Sequence, residues 1–190
     1  MPFAVFAESS QQVLDKAVAK VQNSKGVNST FRIDASDATV TGSFKSSGAK
    51  FKLETPQATT WYDGTNMWTA NQSSRQITLV RPTQGEVNEV NPFAYLSGYK
   101  GRFVTGFSKR KDENRYLVLL NPRDKKDEIK AIEVAVNKKT YLPERFIIRD
   151  RNDRVVTVYI NNLNLNASNP ASAFVCPVAE MKGFELVDLR

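Results

Sequence analysis

Histidine is absent from this chain of 190 residues. That removes the commonest general base, the Ser-His and Cys-His nucleophile systems and most zinc sites together. Cysteine is nearly absent: Cys176 stands alone, so neither an internal disulfide nor a multi-thiolate metal centre can form. It reads as a small buried apolar side chain. The nine glycines are scattered singly at turn positions and form no Gly-rich phosphate loop. No stretch approaches the roughly 18 apolar residues that cross a bilayer. What chemistry survives is a carboxylate pair or a Lys/Ser dyad, with Asp63 in Trp61-Tyr62-Asp63-Gly64 the best-placed candidate acid and a secreted carboxylate hydrolase the corresponding reading. Beside Gly64 the same aspartate is an ordinary hairpin-turn residue. No cofactor is expected.

Hydrophobic residues make up 41% and charged residues 25%, an ordinary globular composition. The length suits one domain, taken as residues 8–190. Residues 1–7 are almost wholly apolar, with Val5 and Ala7 at the spacing a signal peptidase selects. They read as the remnant of a signal peptide, which places Glu8 first in an exported, periplasmic protein. The net charge of +7 is spread over mixed-sign clusters at 109–113, 123–128 and 149–154. Such clusters mark solvated hairpin tips rather than a phosphate-tracking stripe, and no nucleic-acid partner is expected.

Ser9 or Ser10 caps a helix in which Val13, Leu14, Ala17, Val18 and Val21 recur at helical spacing until Gly26. Thereafter the period is two. Phe31 and Ile33 alternate with Arg32 and Asp34, and Val40, Gly42 and Phe44 with Thr41 and Ser43. Turn residues at Gly48, Pro56, Asp63-Gly64 and 71–74 then punctuate short runs holding Phe51/Leu53, Trp61, Met67/Trp68 and Ile77/Leu79. Asn91-Pro92 opens a short helix over Phe93-Ala94-Tyr95-Leu96 that ends at Gly98. Strand signals resume over 102–107, 116–120, 129–136, 145–149 and 155–165, with a helical turn at 170–174 and a last strand at 185–189. The expected fold is mainly β with α, of about 10 or 11 strands, too many for a flat open sheet. Alternation sets Phe51 and Leu53 on one face and Lys50, Lys52 and Glu54 on the other, which points the aromatic toward an apolar interior.

The block Gly42-Ser43-Phe44, then Gly48-Ala49-Lys50-Phe51-Lys52-Leu53-Glu54-Thr55-Pro56, then Thr60-Trp61-Tyr62-Asp63-Gly64-Thr65-Asn66-Met67-Trp68, resembles the bacterial outer-membrane lipoprotein carrier family, LolA, most of all its Bacteroidetes branch. Asn91-Pro92-Phe93-Ala94-Tyr95-Leu96 and the end from Asp150 through Phe174 and Phe184 are similar to the family as well. The resemblance implies a strongly curved, incomplete antiparallel β-barrel with a helical lid, and no enzymatic activity. It implies a periplasmic carrier, acting as a monomer, that takes acylated lipoproteins or other lipids from an inner-membrane lipoprotein-releasing ABC transporter to the outer membrane. A lipid or lipoprotein sensor on the same half-barrel is the alternative. With no N-terminal cysteine to lipidate, the diffusible carrier is expected rather than the anchored acceptor that shares this fold. By the same likeness the cavity is lined by Phe31, Ile33, Phe44, Phe51, Leu53, Trp61, Met67, Trp68, Ile77 and Leu79, and the lid carries Val13, Leu14, Phe93 and Leu96. One departure stands out. Where family members carry a Lys-Arg-Pro segment whose arginine latches the lid, this chain reads Ser46-Ser47-Gly48, which leaves Arg32, Lys45 or Lys50 as substitute cations.

Overall fold

The computed structural model describes residues 7–91, 93, 96 and 98–190. The expected signal-peptide remnant, Ala7 apart, and Pro92, Ala94 and Tyr95 of the expected short helix lie outside the described residues.

Helix α1 (Ser10–Gln22) begins at a capping box: Ser9 accepts the N–H of Gln12, and the Gln12 side chain accepts the N–H of Ser9. Its apolar stripe buries Val13, Leu14 and Ala17 completely. Six strands follow as an antiparallel meander: β1 (Val27–Asp34), β2 (Thr39–Ser47), β3 (Lys50–Glu54), β4 (Ala58–Tyr62), β5 (Met67–Asn71) and β6 (Gln76–Val80). Helix α2 (Gln84–Val90) and the single turn α3 (Tyr99–Arg102) interrupt the strands. Then come β7 (Phe103–Phe107), β8 (Arg115–Pro122), β9 (Ile129–Asn137), β10 (Pro143–Asp150), β11 (Val155–Asn164) and β12 (Glu185–Asp188).

All twelve strands join one sheet in the order β12-β6-β5-β4-β3-β2-β1-β11-β10-β9-β8-β7. Its end strands, β12 and β7, do not pair, so the barrel is incomplete. A single apolar cluster nonetheless gathers Phe31, Phe44, Phe51, Tyr62, Phe103, Val118, Val134, Phe146 and Ile160 from nine strands, together with Val13 and Leu14 of α1. Only a strongly bent sheet brings such distant strands around one core. The fold expected from the sequence is the one observed, with one strand more than the upper count.

Helix α2 is not among the expected elements. Asn91 closes it, with its N–H on the Val87 carbonyl, while its side-chain oxygen accepts the Phe93 N–H at 2.9 Å at the start of the expected short helix. The signal for α2 is the capping box of Thr83 and Glu86, which lies between two strand-like stretches and is easily passed over.

Candidate functional site

Two cavities lie between the concave face of the sheet and the helices. The larger, about 400 Å³, has a floor of Phe44, Phe51 and Tyr62 and a roof of Val18 and Val21 of α1, Val87 of α2, Phe93 and Leu96. Its lining also includes the polar residues Gln22, Ser24, Ser46, Lys50, Gln84 and Asn91. The second, about 320 Å³, is lined by Phe31, Ile33, Leu53, Val90, Phe146, Ile148, Val156 and Val158, with Thr55 and Asn91 as the polar members. Asn91 belongs to both linings, so the cavities flank the segment that leaves α2. Packed interiors keep few voids larger than a water molecule, so hollows of this size are features rather than defects.

The register explains the floor. Phe51 sits opposite Tyr62 and Leu53 opposite Phe44, so all four point into the curve. Phe44 stacks on Phe51 with centroids 5.9 Å apart and meets Phe93 at 5.4 Å, while Phe51 meets Tyr62 at 5.4 Å. These centroid distances fall within the range of favourable ring pairs, and Phe93 thereby docks the lid onto the floor. Deeper along the same face the wall turns polar, where the Thr60 and Thr69 hydroxyls lie 3.2 Å apart.

The roof is pinned at its far end. The Tyr99 hydroxyl donates to an Asp15 carboxylate oxygen at 2.7 Å, and the Lys100 ammonium reaches the same oxygen at 2.8 Å. Burial pushes the Asp15 carboxyl upward, but the bonds from Lys100 and Tyr99 outweigh it and hold the group below its ordinary value. Burial, then Asp15, pushes the Tyr99 phenol well up, so it remains a donor at any physiological pH. The start of α1 is tied as well: Tyr141 donates to Glu8 at 2.7 Å, and Lys16 bonds the same carboxylate.

Asp63 has a turn to hold. Its carboxylate accepts the N–H groups of Thr65 at 2.8 Å and Asn66 at 2.7 Å. Burial raises its pKa, but those bonds outweigh it and leave the group lowered. It is ionised near neutrality and has no proton to donate.

The family model for the outer membrane lipoprotein carrier protein LolA matches residues 1–152. The chain belongs to that family. No curated protein sequence matches it. An uncharacterized conserved protein from Thermus thermophilus superposes with a TM-score of 0.63 at 13% identity, over 95% of this chain and 99% of its own. A putative outer membrane lipoprotein-sorting protein domain from Vibrio parahaemolyticus gives 0.50 at 12% identity, over 92% and 98%. Both share the LolA-like fold.

Within this LolA-family fold, Phe31, Ile33, Phe44, Phe51, Leu53 and Met67 join the concave cluster, together with Val13, Leu14, Phe93 and Leu96 from the lid side. Trp61, Trp68, Ile77 and Leu79, expected in the cavity, do not. They form a second cluster with Ala70 and Cys176, partly covered by Val178, Met181 and Phe184. Strand alternation is the reason: Phe51 and Tyr62 point inward, so Trp61 points outward beside Lys52, and its cross-strand neighbours Trp68 and then Leu79 follow it. The chain after β11 crosses this outer face as a strap. Asn169 fastens it to Asn28 at 2.9 Å and the Ser46 carbonyl at 3.1 Å, two 3-10 turns (Ala171–Phe174 and Val178–Glu180) continue it, and β12 pairs parallel to β6. The strap lies beyond the residues matched to the LolA family.

Among the described residues, none of the three substitute cations ties the lid to an acid. Arg32 pairs with Asp34 and lies over the Tyr159 ring, Lys45 sits opposite Lys52 on the outer face, and Lys50 lines the rim of the larger cavity. Tyr99 and Asp15 make the tie instead.

Proposed function

We propose that this protein is a carrier of acylated lipoproteins or related lipids, holding acyl chains in the two hollows beneath α1, α2 and the Phe93–Leu96 segment. The observation that carries the reading is the pair of unfilled cavities between sheet and lid, the smaller mainly apolar and the larger of mixed lining, bordered by Phe31, Phe44, Phe51, Leu53, Phe93 and Leu96. Burying an acyl chain is worth about 0.8 kcal/mol per methylene, hence roughly 12 kcal/mol for a chain of about 15 carbons. Release into water is therefore negligible, and transit between membranes needs a protein cavity of comparable apolar area. A carrier must also let go. A lid held by a few polar ties, at Tyr99 and Asp15 and at Glu8 and Tyr141, over a floor it touches through Phe93, can exchange its own contacts for those of a chain. Membership of the LolA family supports a periplasmic location and receipt of cargo from an inner-membrane lipoprotein-releasing ABC transporter.

The decisive measurement is to purify the protein from its native compartment and analyse the extracted ligands by mass spectrometry. Acylated peptides are the expected finding. Free phospholipid alone would move the reading to a lipid sensor, and a protein that arrives empty and takes up no fluorescent fatty acid would exclude both.

A further inference from the structure

The sheet ends at β7, whose outer edge carries no further strand among the described residues; the start of α1 lies beside it, where the Ser10 and Thr105 hydroxyls are 3.0 Å apart. The N–H of Ser108 bonds the Leu117 carbonyl and that of Arg123 the Arg102 carbonyl, both at 2.8 Å. With the register Val104↔Asn121 and Gly106↔Leu119, antiparallel alternation turns the main-chain groups of Val104 and Gly106 toward β8. Those of Thr105 and Phe107 therefore face outward, where β8 is the only strand on β7 among the described residues. Sheet edges in soluble proteins are usually protected by a charge, a proline or a bulge. Phe103-Val104-Thr105-Gly106-Phe107 has none of these, and Val104 and Phe107 are 49% and 46% exposed.

The surroundings state a preference. From Lys100 to Lys111 the chain carries Lys100, Arg102, Lys109, Arg110 and Lys111 and no acid; Asp112 and Glu113 follow, with Asp112 paired to Arg115. Lys100, Arg102 and Arg110 also serve Asp15, Asp127 and Glu133, whereas Lys109 and Lys111 flank the strand as exposed cations. Beside the edge a groove of about 180 Å³ is bordered by Gln11, Lys100, Thr105 and Arg123. We propose that β7 is a docking edge for an extended acidic segment of another polypeptide, which adds a thirteenth strand and sets its carboxylates against these cations. The acidic edge strand β12 of a second copy offers similar chemistry, but that pairing is head to tail and would leave each copy with an unused edge unless a ring closed, so a separate acidic segment is the simpler occupant. This inference stands independently of acyl-chain binding.

The test uses the full chain and a fluorescein-labelled peptide of alternating glutamate and valine, read by fluorescence anisotropy, with a lysine and valine peptide as control. The acidic peptide is expected to bind about tenfold more tightly than the control, and less so as salt is raised. Thr105→Pro removes an outward N–H and the hydroxyl contact with Ser10 but no bond to β8, so the sheet survives while peptide affinity falls about tenfold; Thr105→Val, which loses the hydroxyl contact alone, keeps the affinity. Lys109→Glu with Lys111→Glu leaves the edge intact and should weaken the acidic peptide several-fold. Equal binding of the two peptides, or undiminished binding by both the proline and the double glutamate variants, overturns the proposal. So does self-association of the wild type, seen by sedimentation, that Thr105→Pro abolishes, because the edge would then belong to a second copy.

Discussion

The hydroxyl of Tyr99 lies 2.7 Å from the carboxylate of Asp15 and ties the turn α3 to the middle of α1. The two residues are far apart in sequence, yet the bond sits where the lid meets the last strands of the sheet. It fastens the roof at a point where the sequence offers no counterpart to the arginine that the family resemblance implies. Tyr99 is buried and donates to a charged acceptor, the stronger class of protein hydrogen bond.

Tyr99→Phe removes only the hydroxyl and should cost about 1.5 kcal/mol of stability, seen as a lower urea midpoint at unchanged slope. If the lid is the element released, the same variant takes up a fluorescent fatty acid faster. A variant with a lower midpoint and unaltered uptake kinetics would separate this bond from lid motion.

The pH dependence has a definite sign. The folded pKa of Asp15 lies below its ordinary value of 3.8, so its contribution is complete above that value and is lost as pH falls through the folded value. Protonation frees both Tyr99 and Lys100. Binding of an environment-sensitive dye should therefore rise in the wild type only as the pH falls below 3.8, and Asp15→Asn should bind it at neutral pH with less change on acidification than the wild type.

Leu53 borders the smaller cavity and is only partly buried. Leu53→Glu should abolish fatty-acid binding there while costing less than the 2–5 kcal/mol typical of a fully packed core leucine, roughly 1–2 kcal/mol, because a cavity wall can hydrate. Circular dichroism and a fatty-acid titration check both halves. Failure to fold would make Leu53 core rather than wall.

Much of the architecture was legible because period-two alternation and turn residues act locally: β1 through β6, β7 through β11 and the capped α1 all lie where the pattern puts them. The tryptophans were not. Trp61 and Tyr62 are adjacent, as are Met67 and Trp68, so alternation alone requires each pair to split between faces. Which member goes inward is decided by the pairing of Phe51 with Tyr62 across the Pro56 turn, a register that local pattern leaves free. The strap's placement is likewise long-range, fixed by Asn169 reaching back to Asn28 and Ser46. The Tyr99 and Asp15 tie escaped for the same reason, since neither residue announces a partner in its own neighbourhood.

Gly42 is opposite Phe31 in β1, and the Phe31 ring lies over it. A Cβ there would stand 2.4 Å from the ring and 2.2 Å from the Glu54 carbonyl oxygen. Gly42→Ala should therefore cost about 1–3 kcal/mol, as overpacking does, and push Phe31 toward the smaller cavity. The expected readings are a lower melting temperature and weaker fatty-acid binding together; an unchanged melting temperature would mean that the strand yields freely.

Cys176 reports on the strap. Its sulfur lies 3.6 Å from that of Met181, within the outer cluster of Trp61, Trp68, Ile77 and Leu79, and burial pushes the thiol up to about 11. At neutral pH the thiolate is then scarcer than in a free cysteine by more than about a hundredfold, so iodoacetamide should react very slowly with the folded protein. Phe184 closes this cluster from the strap and stacks under the Arg75 guanidinium, 4.8 Å from the ring centre. Phe184→Ala loosens the strap without touching the concave face. Alkylation should accelerate and tryptophan emission should shift to the red, while fatty-acid binding stays as in the wild type. Faster alkylation accompanied by lost fatty-acid binding would instead mean that the two faces of the sheet are coupled.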